Sequence, residues 1–177
     1  MRKSNKKGFT LVELVVVIAI IGVLAAILIP TMMNYVKKSR MRTANSNAKL
    51  VFESINNMAS DKVADGDAVS AITATRKNVS DYKSSSDVLE KAVWDALKDN
   101  GENGAGVVSL SYDPNNKDAA NWVQWQTNNT EKGQITGQWP NAPKDVDAAE
   151  KIDFGTASGV SGTTTNTTNN GGGNTGT

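Results

Sequence analysis

From Phe9 to Ile29 nearly every position is apolar, and a single carboxylate, Glu13, interrupts the run. A helix rises about 1.5 Å per residue, so the run reaches roughly 30 Å, the hydrocarbon thickness of a bilayer. Beyond Pro30 the apolar positions thin to a stripe, Met41, Ala44, Ala48, Val51, Phe52, Ile55 and Ala59, with Asn45, Asn47, Lys49, Glu53 and Asn57 between them. Spacings of three and four put the stripe on one helix face. They predict a stem continuing to about Ser60, its outer half covered by a domain. Pro30, lacking an N–H, is expected to bend it.

The pattern then changes. Asp61 to Ser86 is polar with sparse apolar points and reads as loop with a short helix. Asp87, three before Glu90, opens a helix to about Lys98 with Val88, Leu89, Ala92, Val93, Ala96 and Leu97 on its apolar side. Strand-like runs follow at Val107 to Tyr112, Asn121 to Thr127, Gln134 to Trp139 and, as a fourth candidate, Lys151 to Gly155. In the first, Val108, Leu110 and Tyr112 alternate with Ser109 and Ser111. The fold class is therefore α+β: a long N-terminal helical stem packed on a small antiparallel sheet of three or four strands. The expected divisions are a leader 1–8, a spanning helix 9–29, an amphipathic stem 30–60, a globular head 61–155 and a disordered Gly/Thr/Asn-rich tail 156–177. The tail is too poor in apolar groups to offset its ordering entropy.

A cleaved secretory signal has a shorter apolar core with a small-residue cut on its far side. Here the only glycine placed for a cut, Gly8, stands before the apolar run, so cutting there leaves the greasy segment on the mature chain. Each aliphatic residue favours insertion by about 0.3–0.6 kcal/mol against roughly 2.5–3.5 for one mid-membrane acid, so Glu13 does not prevent insertion. An intramembrane carboxylate still needs a partner, and the run contains no Lys or Arg. A cut after Gly8 would create an α-amine on Phe9, one helical turn from Glu13. Side-by-side stacking of chains would dry such a pair and make it intermolecular.

Charge and composition narrow the classes. Lys and Arg total 19 against 18 Asp and Glu; without Arg2, Lys3, Lys6 and Lys7 of the leader, the balance falls from +1 to −3. A mildly acidic mature chain is not expected to bind nucleic acid directly. The sequence has no Cys and no His, which removes disulfides, Ser-His-Asp and Cys-His nucleophiles, and the common zinc sites. No catalytic residues are assigned and no enzyme is expected. Basic residues flank the run on both sides, with Lys37, Lys38, Arg40 and Arg42 following it, so the positive-inside rule does not orient it.

The run K-G-F-T-L-V-E-L, followed by V-V-V-I-A-I-I-G-V-L-A-A-I-L-I-P, resembles the class III signal of type IV pilins and type II secretion pseudopilins. The resemblance covers Lys7 to about Tyr35. It implies a prepilin peptidase cutting between Gly8 and Phe9, N-methylation of Phe9, and neutralisation of one subunit's Phe9 amine by Glu13 of its neighbour. Gly22 and Pro30 match the family's helix-weakening positions. The implied partners are a membrane, an inner-membrane assembly platform and further copies in a homo-oligomeric helical filament. The leader would lie in the cytoplasm and the rest outside, ending on the cell surface in an extracellular pilus. The missing Cys departs from many Gram-negative major pilins and points to a Gram-positive origin or a cysteine-free pseudopilin. Three roles stay open: a pilus subunit, a pseudopilin of a secretion or DNA-uptake machine, and a membrane-anchored adhesin.

Two features of the head carry alternative chemistry. Trp122, Trp125 and Trp139 are either the largest core residues or an adhesive, sugar-stacking surface. Asp113, Asn115 and Asp118 form a loose oxygen cluster that would suit calcium, although their spacing matches no EF-hand loop. No other cofactor is expected.

Overall fold

A computed structural model describes residues 8–102, 104–116, 120–128 and 134–156. The leader up to residue 7, Asp118 and the tail from residue 157 lie outside the described residues. By internal packing the chain divides into two units, Met1–Arg40 and Met41–Thr177.

Helix α1 is Leu11–Ala64 and contributes to both units. It ends four residues past the expected Ser60, and the helix continues through Pro30. Just after the proline, Thr31 Oγ1 donates to Leu28 O at 2.8 Å and to Ile27 O at 3.4 Å, adding bonds beside the position where the proline ring supplies none. In the first unit the apolar side chains of Leu11 to Ile29 are exposed, and α1 is the one helix among the described residues long and apolar enough to cross a membrane.

The second unit forms around the outer stripe of α1. Met41, Ala44, Ala48, Val51, Ile55 and Ala59 are buried, as is Asn47. Facing them is a four-stranded antiparallel meander, in spatial order β1 (Ile72–Asn78), β2 (Val107–Tyr112), β3 (Trp122–Gln126), β4 (Gly137–Trp139). Val108, Leu110, Tyr112, Val123 and Trp125 enter the same core cluster as the helix stripe. Helix α2 (Val88–Leu97) closes that core with Leu89, Ala92, Val93 and Leu97, and Ser54 Oγ donates to Ala92 O at 2.9 Å to tie it to α1. The Asp87 carboxylate caps α2 by accepting from Leu89 N and Glu90 N. Ser85 completes the cap: its hydroxyl accepts from Asp87 N and donates to Glu90 Oε2.

Two expectations need correction. The stretch 61–86, read as loop with a short helix, holds β1 and a 3-10 turn, Val79–Tyr82. As an edge strand, β1 buries only Ile72 fully, so its apolar alternation is thin. A bulge between Ala74 and Lys77 breaks its register, and Arg76 takes a φ of 51° there. The fourth strand, expected at Lys151 to Gly155, is instead the end of helix α3 (Val146–Lys151) and a turn. Asp145 caps α3 by accepting from Ala148 N at 2.8 Å, which a strand start does not need. Of the two readings of the tryptophans, burial is the one observed, on two faces of the sheet. Trp125 lies in the helix-side core, donating from Nε1 to Ala105 O at 2.7 Å; Trp139 is partly buried there beneath Lys49 Nζ, 5.0 Å from its ring centre. Trp122, one residue before Val123, is buried on the opposite face.

That opposite face is polar and still buried. Ser109, Gln124, Gln126, Gln138 and Thr136 are all buried, and residues 149–156 pass over them. Gln124 accepts from Gly155 N at 2.8 Å and donates to Thr156 O at 3.0 Å and to Gln138 Oε1 at 3.1 Å. Arg76 N donates to Ser109 Oγ, and Gln126 Nε2 donates to Thr136 Oγ1. The network satisfies side chains that would otherwise be costly to bury. Gln126 Oε1 is the exception among the described residues, buried without a partner.

Candidate assembly site

The first turn of α1 gathers the residues to which the sequence assigns chemistry. Gly8, Phe9 and Thr10 precede the helix in extended or irregular backbone, and Phe9 is 92% exposed. Thr10 and Glu13 form a reciprocal capping box. Thr10 N and Thr10 Oγ1 both donate to Glu13 Oε2, at 2.8 and 2.7 Å, while Glu13 N donates back to Thr10 Oγ1 at 3.2 Å. The box satisfies first-turn amides that have no partner further up the chain and sets a carboxylate at the positive end of the helix dipole.

The bonds fall on one oxygen. Glu13 Oε1 takes no hydrogen bond among the described residues. Thr10 was not among the residues singled out by sequence, yet Thr-x-x-Glu before an apolar run is the signature of a capping box and was readable.

Packing does not explain the two stem glycines. A Cβ built on Gly8 or on Gly22 meets nothing within 4 Å. Among the described residues, neither glycine is demanded by close contacts. Pro30 sits inside α1.

The calcium candidates are engaged in loop hydrogen bonds. Asp113 Oδ1 accepts from Asn115 N at 2.9 Å, Asn115 Nδ2 donates to Val69 O at 2.6 Å, and Asp113 N donates to Asn121 Oδ1 at 2.8 Å. Among the described residues no group of three or more acidic side chains is placed to hold a metal ion; Asp118 lies outside them.

Known proteins match this same stretch. A family model, the prokaryotic N-terminal methylation motif, matches residues 3–29. The chain is 57% identical over 44 residues to fimbrial protein EcpC of Eikenella corrodens, covering 25% of this chain and 29% of that protein. It is 59% identical over 39 residues to type IV major fimbrial protein FimA of Dichelobacter nodosus, covering 22% and 25%. It is 40% identical over 58 residues to type IV major pilin protein PilA of Myxococcus xanthus strain DK1622, covering 33% and 26%. The chain thus aligns with only about a quarter of the length of these curated relatives. No solved structure matches. The long apolar N-terminal helix and the small four-stranded antiparallel sheet are consistent with an α+β pilin fold. The N-terminal segment carries the prokaryotic N-terminal methylation motif and is similar to part of known type IV pilin and fimbrial proteins.

Proposed function

We propose that the chain is the precursor of a structural subunit of a type IV pilus-like filament. The observation that carries this reading is Glu13, held by Thr10 through one oxygen at the start of an exposed apolar helix that bears the methylation motif. Before assembly the Phe9 to Ile29 segment is stored in the membrane, where lipid covers its side chains. A prepilin peptidase removes residues 1–8 and the Phe9 amine is methylated. An assembly platform then draws the subunit into a helical stack in which neighbouring stems replace the lipid.

The pairing chemistry follows from the first turn. In the stack, the Phe9 amine of one subunit approaches Glu13 Oε1 of the next. Water is excluded there, and an uncompensated carboxylate between apolar helices is costly, so correct axial register is favoured over slipped ones. Pilus rather than pseudopilus is favoured because the relatives are fimbrial and pilin proteins by name. A Gram-positive origin rests on the missing cysteine alone. Glu13→Ala tests the reading: insertion and leader removal continue while filaments fail to grow. Filaments of normal length and number from that variant would overturn it.

A further inference from the structure

Between the last turns of α1 and the loop that joins β2 to β3, the second unit holds an open cavity of about 480 Å³. Small-molecule sites span roughly 300–1,000 Å³. Asn56, Ser60 and Val63 line it from the helix, and Tyr112, Asp113 and Pro114 from the strand end and the loop. Spacings of four and three set the helix residues on one face. All three are exposed, while Tyr112 behind them is buried, so the cavity opens to solvent over a firm wall.

The polar groups of this wall are oriented by bonds that leave capacity over. Tyr112 Oη donates to Asn56 Oδ1 at 2.9 Å, and the two Nδ2 hydrogens of Asn56 have no partner among the described residues. Asp113 Oδ1 accepts from Asn115 N at 2.9 Å, while its second oxygen takes no hydrogen bond among the described residues. Ser60 Oγ donates to Asn56 O at 2.7 Å and keeps its lone pairs. Asn121 Oδ1 steadies the loop by accepting from Asp113 N at 2.8 Å. The cavity therefore offers a two-donor amide, a carboxylate that only accepts and a hydroxyl, beside the apolar Val63 and Pro114.

Each simpler class of ligand leaves part of that set unanswered. A phosphate or carboxylate meets the like charge of Asp113. A bare metal ion answers Asp113 but not the Asn56 donors, and no group of three acidic side chains is placed to hold one among the described residues. An apolar ligand strips water from the carboxylate and returns nothing. A ring bearing several hydroxyls can donate to Asp113, accept from Asn56 and rest its C–H face on Val63 and Pro114. We propose that this cavity binds a neutral sugar, one hexose ring at a time, with a Kd on the order of 1 mM. Repeated along a filament, an extension that rests on the function proposed above, such weak sites act together.

The test uses the full chain as a monomer in phosphocholine micelles, free of sugar detergent and independent of filament growth. Saturation-transfer NMR is recorded with methyl α-mannoside, methyl α-glucoside and methyl β-galactoside as probes and glycerol as control. At least one glycoside should receive saturation that glycerol does not. Asp113→Asn, which keeps an oxygen for Asn115 N, should weaken that binding about tenfold by removing the charged acceptor. Val63→Trp, at an exposed position, should fill the cavity and abolish it, with circular dichroism and urea midpoint close to the parent's. No transfer to any of the three glycosides, or equal transfer to glycerol, overturns the proposal. So does an unchanged affinity in Asp113→Asn or in folded Val63→Trp, which would put the sugar contact elsewhere on the chain.

Discussion

Thr10 and Glu13 secure each other at the head of α1, the threonine hydroxyl lying 2.7 Å from Glu13 Oε2 and accepting the Glu13 amide at 3.2 Å. The bonds from Thr10 engage one carboxylate oxygen, Oε2, so Thr10 is a positioning residue for the pairing proposed for Glu13. Removing the hydroxyl in Thr10→Ala should speed amide exchange at Glu13 and Leu14 about fivefold in detergent micelles, the usual weight of a side-chain cap. Thr10→Ser should restore protection. Equal exchange in all three would show that the cap does not form.

Gly137 in β4 lies against the backbone of α1. A Cβ there would sit 2.0 Å from Ala44 C and O and 2.5 Å from Asn45 N, and no side-chain rotation relieves a clash with backbone. Gly137→Ala should lower the stability of the second unit by about 1–3 kcal/mol or more, read as a lower urea midpoint by tryptophan fluorescence. Gly22→Ala, with open space around its Cβ, should leave that midpoint unchanged.

The buried glutamine layer makes a sharper demand. Gln124→Leu keeps the volume but strands Gly155 N, Thr156 O and Gln138 Oε1, all of which it now satisfies. The expected cost is about 2–4 kcal/mol in urea unfolding, more than loss of a single solvent-exposed hydrogen bond. A loss below about 1 kcal/mol would mean that water replaces the side chain.

Tyr82 makes the second unit sensitive to alkali. Burial, then the nearby Glu90 and Asp81 carboxylates, push its phenol well above the ordinary tyrosine range. The unfolded chain loses that proton near pH 10 while the folded chain keeps it, so stability is full below about pH 10 and falls as pH rises further. Tyr82→Phe should flatten the fall of the urea midpoint above pH 10. Burial raises Tyr112 as well, so a smaller slope should remain. A parent chain with a level midpoint from pH 9 to 11 would contradict the burial of both.

What the sequence disclosed, and what it hid, follow from where each side chain finds its partner. The stripe from Met41 to Ala59 was legible because one face of a helix repeats locally, and Val107 to Tyr112 because its alternation meets a single core. β1 escaped because an edge strand buries little, and its Arg76 is turned by a bulge that Ser109 stabilises from another strand. The burial of Ser109 and Gln124 was hidden for a related reason: polar residues on alternate strand positions look solvent-facing until a later segment, here residues 149–156, covers them. At the assembly site, Gly8, Phe9 and Glu13 stood out because an acid in an apolar run is unusual. Thr10 was passed over although its place three residues before Glu13 spells a capping box, because attention to the acid's intermolecular partner hid its local one.

The most direct test of the central claim is the N-terminus of the chain recovered from sheared surface filaments. Mass spectrometry should find a polymerised chain beginning at N-methylated Phe9. A chain that still begins at Met1, or one absent from every filament preparation while abundant in the membrane, would contradict the account.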